Sequence, residues 1–139
     1  GNLEKKQVEE IVSDILLRLD LSHMRHLKVG SPENRQISGG QRKRLNIALD
    51  LVRQPYILFT DEPTSGLSST DSENVMGLLK EQTLQGKIVI VNIHQPSSAI
   101  FKMFDKIIIM DQGGFPVYEG NPINAFPYLK SAVHRADKE

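Results

Sequence analysis

The 139-residue chain contains no cysteine and no tryptophan. The first absence excludes a disulfide framework, a thiol nucleophile and a zinc–thiolate centre, and it fits a reducing compartment. An excess of charge of one sign is missing as well: 17 basic side chains face 17 acidic ones. Without a basic or acidic face, neither nucleic acid nor an anionic membrane is the expected partner. Nothing approaches the roughly 18 consecutive apolar residues of a membrane-spanning helix. Apolar runs such as Ile88 to Val91 and Ile107 to Met110 have strand length, and the N-terminus lacks the layout of a signal peptide. A soluble chain is expected. What is present is ordinary for a packed core: 39% hydrophobic residues, 10 Gly and 7 Pro, at a length suited to one domain or a large part of one.

Val8, Ile11, Val12, Ile15, Leu16 and Leu19 recur at three- and four-residue spacing, which predicts an amphipathic helix over about residues 4–20. Residues 28–37 carry Gly, Pro and Asn without periodicity and read as a loop. Ser38 stands where an N-cap belongs, before a helix with Leu45, Ala48, Leu49 and Val52 on one side. Tyr56 to Thr60 is a continuous apolar run, expected for a strand buried on both faces. A helix begins near Ser69 with Val75, Met76, Leu78 and Leu79 inward, and Gly86 ends it. Lys87 to Ile93 and Asp105 to Met110 read as further strands, separated by a short helix capped by Ser97 or Ser98. Gly113 and Gly114 turn the chain into a hairpin partner over Phe115 to Glu119, and a last helix starts at Pro122 and runs through Leu129. Strands alternating with helices predict an α/β fold with a parallel sheet, right-handed crossovers and one antiparallel edge hairpin.

In open α/β sheets, ligands lie outside the carboxyl ends of the strands. One predicted strand ends in Asp61-Glu62 and another runs into His94. Two carboxylates at an apolar strand tip are costly unless they meet a cation or water. They suit a site where one holds Mg²⁺ and the other polarises a water, although the pair taken alone favours a cap on the Ser-rich helix start. Ser38-Gly39-Gly40-Gln41 at a helix start lets backbone N–H groups approach an anion, with the partial positive charge of the helix N-terminus behind them. Arg42, Lys43 and Arg44 read as a solvated helix face. His23 and His26 are three apart but flanked by Arg25 and Lys28, so they are expected at the surface and not on a metal.

The order of these elements resembles the C-terminal part of an ATP-binding cassette (ABC) nucleotide-binding domain. Ser38 to Gln41 match its signature motif, Tyr56 to Asp61 its Walker B strand, Ser65 to Ser68 its D-loop, and His94 its switch histidine. Glu62 falls on the general-base position. Ser-Gly-Gly-Gln-Arg-Lys-Arg-Leu-Asn-Ile and Ile-His-Gln-Pro-Ser-Ser-Ala-Ile-Phe look like the G (White, or pigment-precursor) subfamily. The resemblance implies a P-loop NTPase-like, RecA-like core over residues 54–139 and part of the helical signature subdomain over residues 1–53. It also implies a transporter ATPase of exporter type at the cytoplasmic face of a membrane, with ATP and Mg²⁺ as cofactors. Its partners would be a second cassette and a transmembrane domain, with no nucleic acid. In that frame Glu62 and His94 are catalytic. Ser38, Gly39, Gly40, Gln41 and Asp61 bind nucleotide, and Asp61 holds Mg²⁺ through water.

Two departures from the family pattern stand out. The D-loop position usually held by Asp is Ser68, and no Gly-x-x-x-x-Gly-Lys-Ser/Thr phosphate loop occurs in the sequence. The 139 residues alone are therefore expected not to hydrolyse ATP. Loss of the Walker A strand is expected to uncover apolar sheet surface, including Phe59 and Ile90, and to favour self-association. A soluble, non-transporter ABC ATPase of DNA repair or translation is the competing reading. The absent cysteine pairs exclude its zinc-bearing repair type.

Overall fold

The computed structural model describes residues 4–30 and 36–136. Its elements are α1 (Lys5–Arg18), a single 3-10 turn (Ser22–Met24), α2 (Gly39–Val52), β1 (Ile57–Asp61), α3 (Ser69–Leu84), β2 (Ile88–Asn92), α4 (Ser98–Phe101), β3 (Ile107–Met110), β4 (Pro116–Gly120) and α5 (Pro122–Ala136). The chain folds as two compact units, residues 1–94 and 95–139.

In the first unit the helix starts are set by side-chain capping. Glu4 and Gln7 form a reciprocal capping box on α1, and Ser38 and Gln41 form another on α2. Ser68 caps α3 by accepting from the Asp71 N–H. The buried side of α2 is Arg44, Ile47, Ala48 and Leu51, rotated from the predicted stripe. Leu45, Leu49 and Val52 instead line an apolar hollow of about 310 Å³ between α1 and α2. Val75, Met76, Leu78 and Leu79 of α3 are all buried, as their spacing requires.

β1 and β2 pair in parallel, with Ile57 opposite Ile88, Phe59 opposite Ile90 and Asp61 opposite Asn92. The expectation of strands buried on both faces does not hold here. Leu58 is buried, whereas Phe59 is 70% exposed and Ile90 47%. The reason is the layer count: α3 packs against β2, and the alternate side chains Ile57 and Phe59 of β1 with Ile88 and Ile90 of β2 lie on the side away from Leu58 and stay open. Ile57 and Ile88 complete this contiguous apolar face. At tens of micromolar the isolated chain is therefore expected to self-associate, and Phe59→Lys combined with Ile90→Thr to shift it toward the monomer mass. Light scattering that shows the unsubstituted chain as a clean monomer would contradict this.

The second unit is a β3–β4 antiparallel ribbon with flanking helices. Its strands form their own two-stranded sheet, separate from β1–β2, so the expected hairpin is present but not as the edge of one continuous sheet. Gly113 and Gly114 both adopt positive φ in its turn (+88° and +80°), where a side chain would be strained. Tyr118 is a hairpin residue: its hydroxyl donates to the Asn121 carbonyl at 2.7 Å and its ring lies 5.2 Å from that of Tyr128. α5 continues past the predicted end at Leu129, through Pro127, to Ala136. Lys106 pairs with Glu119 across the ribbon and holds that carboxyl below the usual carboxylate range. No helix among the described residues is long and apolar enough to cross a membrane.

Candidate functional site

The parallel pairing of β1 and β2 ends on the rung Asp61–Asn92. At this rung the chain leaves the sheet through Glu62, whose φ of +48° is left-handed, an uncommon conformation for a non-glycine residue. Its main-chain N–H donates to the Asn92 carbonyl at 2.9 Å, and its carbonyl accepts from Ser65 N–H at 3.2 Å. Pro63 next to it is fully buried. The turn is thus held on both sides while the Glu62 side chain stays half-exposed at the tip.

Asp61 is exposed, and its Oδ1 accepts from Asn92 Nδ2 at 2.7 Å. Lys43, on the first turns of α2, reaches the Asp61 main-chain carbonyl at 3.4 Å. Neither carboxylate caps a helix: the start of α3 is served by Ser68 and Asp71. The helix-cap reading left open by the pair in isolation is thereby removed. His94 lies two residues beyond the end of β2 and is exposed.

At the start of α2 the capping box uses two of the early N–H groups. Ser38 N–H donates to Gln41 Oε1 at 2.8 Å, and Gln41 N–H donates to Ser38 Oγ at 3.1 Å. The N–H groups of Gly39 and Gly40 lie outside the box and are the ones left for a ligand, joined by the Ser38 hydroxyl proton. A Cβ at Gly39 would meet nothing within 4 Å, so the approach is open. A Cβ at Gly40 would stand 3.2 Å from Leu67 Cδ2, so a side chain there would press on the loop that follows Glu62. Gln41 thus acts on its own cap through Oε1, and Ser38→Ala should cost α2 about 1 kcal/mol of stability. Urea denaturation measures it, and a loss below 0.3 kcal/mol (on that scale) would discount the cap.

Two features escape the sequence reading. Arg44 is no part of a solvated face: its side chain is 10% exposed, and Nη1 lies 3.0 Å from Asp71 Oδ1 and 3.7 Å from Asp20 Oδ2. Ser68, in place of the family's D-loop Asp, donates to Asp71 Oδ2 at 2.9 Å. The carboxylate missing at position 68 has a counterpart one helical turn later. The other feature is Asn92, whose role follows from strand register and has no motif to announce it. His23 and His26 are exposed as expected, although Asp20 comes within 4.0 Å of His23 Nδ1. Among the described residues no group of three or more His, Asp and Glu side chains could hold a metal ion. Mg²⁺ commonly takes one or two protein carboxylates and fills its shell with phosphate oxygens and water, and the outward Asp61 carboxylate fits that pattern.

A parallel strand tip bearing adjacent carboxylates and a glycine-lined helix start in one α/β unit have the chemistry to meet a cation and an anion. Comparison with known proteins narrows that chemistry. A family model described as ABC transporter matches residues 2–65, and another described as ABC-2 type transporter matches residues 94–132. The chain belongs to the ATP-binding cassette transporter family. Its relatives include ABC transporter G family member 28 of Arabidopsis thaliana, 41% identical over 94% of this chain and 12% of that protein. The broad substrate specificity ATP-binding cassette transporter ABCG2 of Mus musculus is 38% identical over 97% of this chain and 20% of its own length. The chain therefore spans about a fifth or less of these relatives. Among solved structures, the ATP-binding cassette MJ0796, dimeric in a post-hydrolysis state with ADP and Pi, superposes with a TM-score of 0.68 at 28% identity. That match covers 88% of this chain and 50% of the other.

Proposed function

We propose that this chain is part of the ATP-binding and hydrolysing cassette of a G-type ABC exporter, working at the cytoplasmic face of a membrane. Residues 1–53 serve as part of the signature subdomain and residues 54–139 as the C-terminal part of the ATPase core. The observation that carries the reading is the pairing, within one unit, of an amide-lined helix start at Ser38–Gln41 with the Asp61–Glu62 strand tip (linked through Lys43 at 3.4 Å).

In this reading Asp61 holds Mg²⁺ through water, and Glu62 orients or deprotonates the attacking water. His94 contacts the γ-phosphate and stabilises charge as it develops. Bound Mg²⁺ would screen the phosphate charge. Ser38, Gly39 and Gly40 donate to the γ-phosphate of a nucleotide held by a second cassette, with Gln41 keeping their amides aimed. Phosphate cradling comes from a loop outside this sequence, so the 139 residues alone should bind Mg-ATP no more tightly than millimolar. A transmembrane domain and a second cassette are the partners.

The test is a pair of mixed dimers of the full-length protein, one copy in each carrying a change. With Glu62→Gln on one copy and Ser38→Arg on the other, one site stays whole and about half of the turnover should survive. With both changes on the same copy both sites are broken, and turnover should fall to background. Equal activity in the two arrangements would reject the cross-subunit site.

A further inference from the structure

We propose that Asn92 is a positioning residue for the cation-holding carboxylate, acting on Asp61 and Glu62 together from the end of the neighbouring strand. This rests on the reading of Asp61 as the residue that holds Mg²⁺. Asn92 makes two contacts of different kind. Its main-chain carbonyl accepts from Glu62 N–H at 2.9 Å, and its side-chain amide donates to Asp61 Oδ1 at 2.7 Å. The parallel register places Asn92 directly opposite Asp61, so one residue fixes the backbone of Glu62 and the rotamer of its neighbour Asp61.

The chemistry of an amide suits this task. A hydrogen bond to a carboxylate is charge-assisted and directional. It occupies Oδ1 and leaves Oδ2 of the exposed carboxylate available to the hydration shell of a cation. Unlike an ammonium, the amide carries no charge and does not compete with the cation for the carboxylate. Lys43, the cationic side chain nearby, bonds the Asp61 main-chain carbonyl and not its carboxylate. Both partners are exposed, so water competes for the bond and its contribution to folding is small; its effect lies in orientation. Groups that orient a metal-holding side chain typically change metal affinity by roughly ten- to a hundredfold when removed.

The test uses the full-length protein with Asn92→Leu, which keeps the side-chain shape, removes the donor and leaves the carbonyl that holds Glu62. Two quantities are read: the half-saturating Mg²⁺ and kcat for ATP turnover, and Mn²⁺ affinity by electron paramagnetic resonance on nucleotide-loaded Glu62→Gln protein, which needs no turnover. Asn92→Leu should weaken Mn²⁺ binding and raise the Mg²⁺ requirement, each roughly tenfold, with kcat falling by less. Asn92→Gln should recover part of both, since it keeps an amide donor. The melting temperature should move by no more than about 2 °C. Mn²⁺ affinity within twofold of the parent, or a fall in kcat at unchanged Mg²⁺ dependence, would overturn the proposal. If Asn92→Leu does not fold, Asn92→Ala against Asn92→Gln makes the same comparison. Asp61→Asn separates the two levels. If it too leaves Mn²⁺ affinity unchanged, the Asp61 reading falls and takes this inference with it. If it weakens binding while Asn92→Leu does not, the Asn92 role alone is lost.

Discussion

Glu62→Gln in the full-length protein should lower ATP turnover at least a hundredfold while changing the KM for ATP by less than about threefold. The substitution removes a proton acceptor and keeps the shape, so it isolates chemistry from structure. Removing a positioned general base typically costs roughly 10²–10⁴ in rate. The scaffold around position 62 is made by main-chain atoms: the N–H to Asn92 O, the carbonyl to Ser65 N–H, and the left-handed φ of +48°. None of these depends on whether the side chain ends in carboxylate or amide, so the variant should fold and bind nucleotide normally. Steady-state turnover together with equilibrium ATP binding checks both halves. Loss of binding in parallel with activity would mean that Glu62 supports the site and does not carry the reaction.

Asp71→Ala should destabilise the first unit by about 3 kcal/mol, the scale for stranding a buried charge. Arg44 has its side chain 10% exposed and Nη1 at 3.0 Å from Asp71 Oδ1. Asp20, at 3.7 Å and 77% exposed, is a weaker second partner. Removing Asp71 also deletes the acceptor for the Ser68 hydroxyl and an acidic group in the first turn of α3, where the helix dipole favours it. Arg44→Met combined with Asp71→Ala should cost less than Asp71→Ala alone, because no guanidinium is then left unpaired. Urea denaturation of the three variants measures the coupling. A single-variant loss within about 0.5 kcal/mol, the ordinary range for a surface change, would show that Arg44 finds water instead. The consequence for function is geometric. Arg44 belongs to the helix that opens with Gly39 and Gly40, and Asp71 follows the Ser65–Ser68 loop, so their pair couples the two segments that Gly40 and Leu67 already bring within contact distance.

Particular residues show where local pattern suffices. Apolar runs ending in polar residues located β1 and β2 to within a residue or two, and capping chemistry located the start of α2, because both signals depend on neighbours in the chain. The carboxylates at the strand tip and the glycines at the helix start were legible for the same reason. Burial was less so. The side of α2 that turns inward differs from its most apolar stripe, since Leu45 and Leu49 line a hollow while Arg44 reaches Asp71.

What the amino-acid order determined by itself, then, was the succession of elements and the placing of Ser38–Gln41, Asp61, Glu62 and His94 at their ends. Hydrophobic period, capping and turn propensity act over a few residues and need no distant partner. Tertiary structure alone decided that Asn92 stands opposite Asp61 and that Arg44 is buried against Asp71. Each depends on the register or the layer supplied by a segment 27 to 31 residues away, and no local rule reaches that far along a chain.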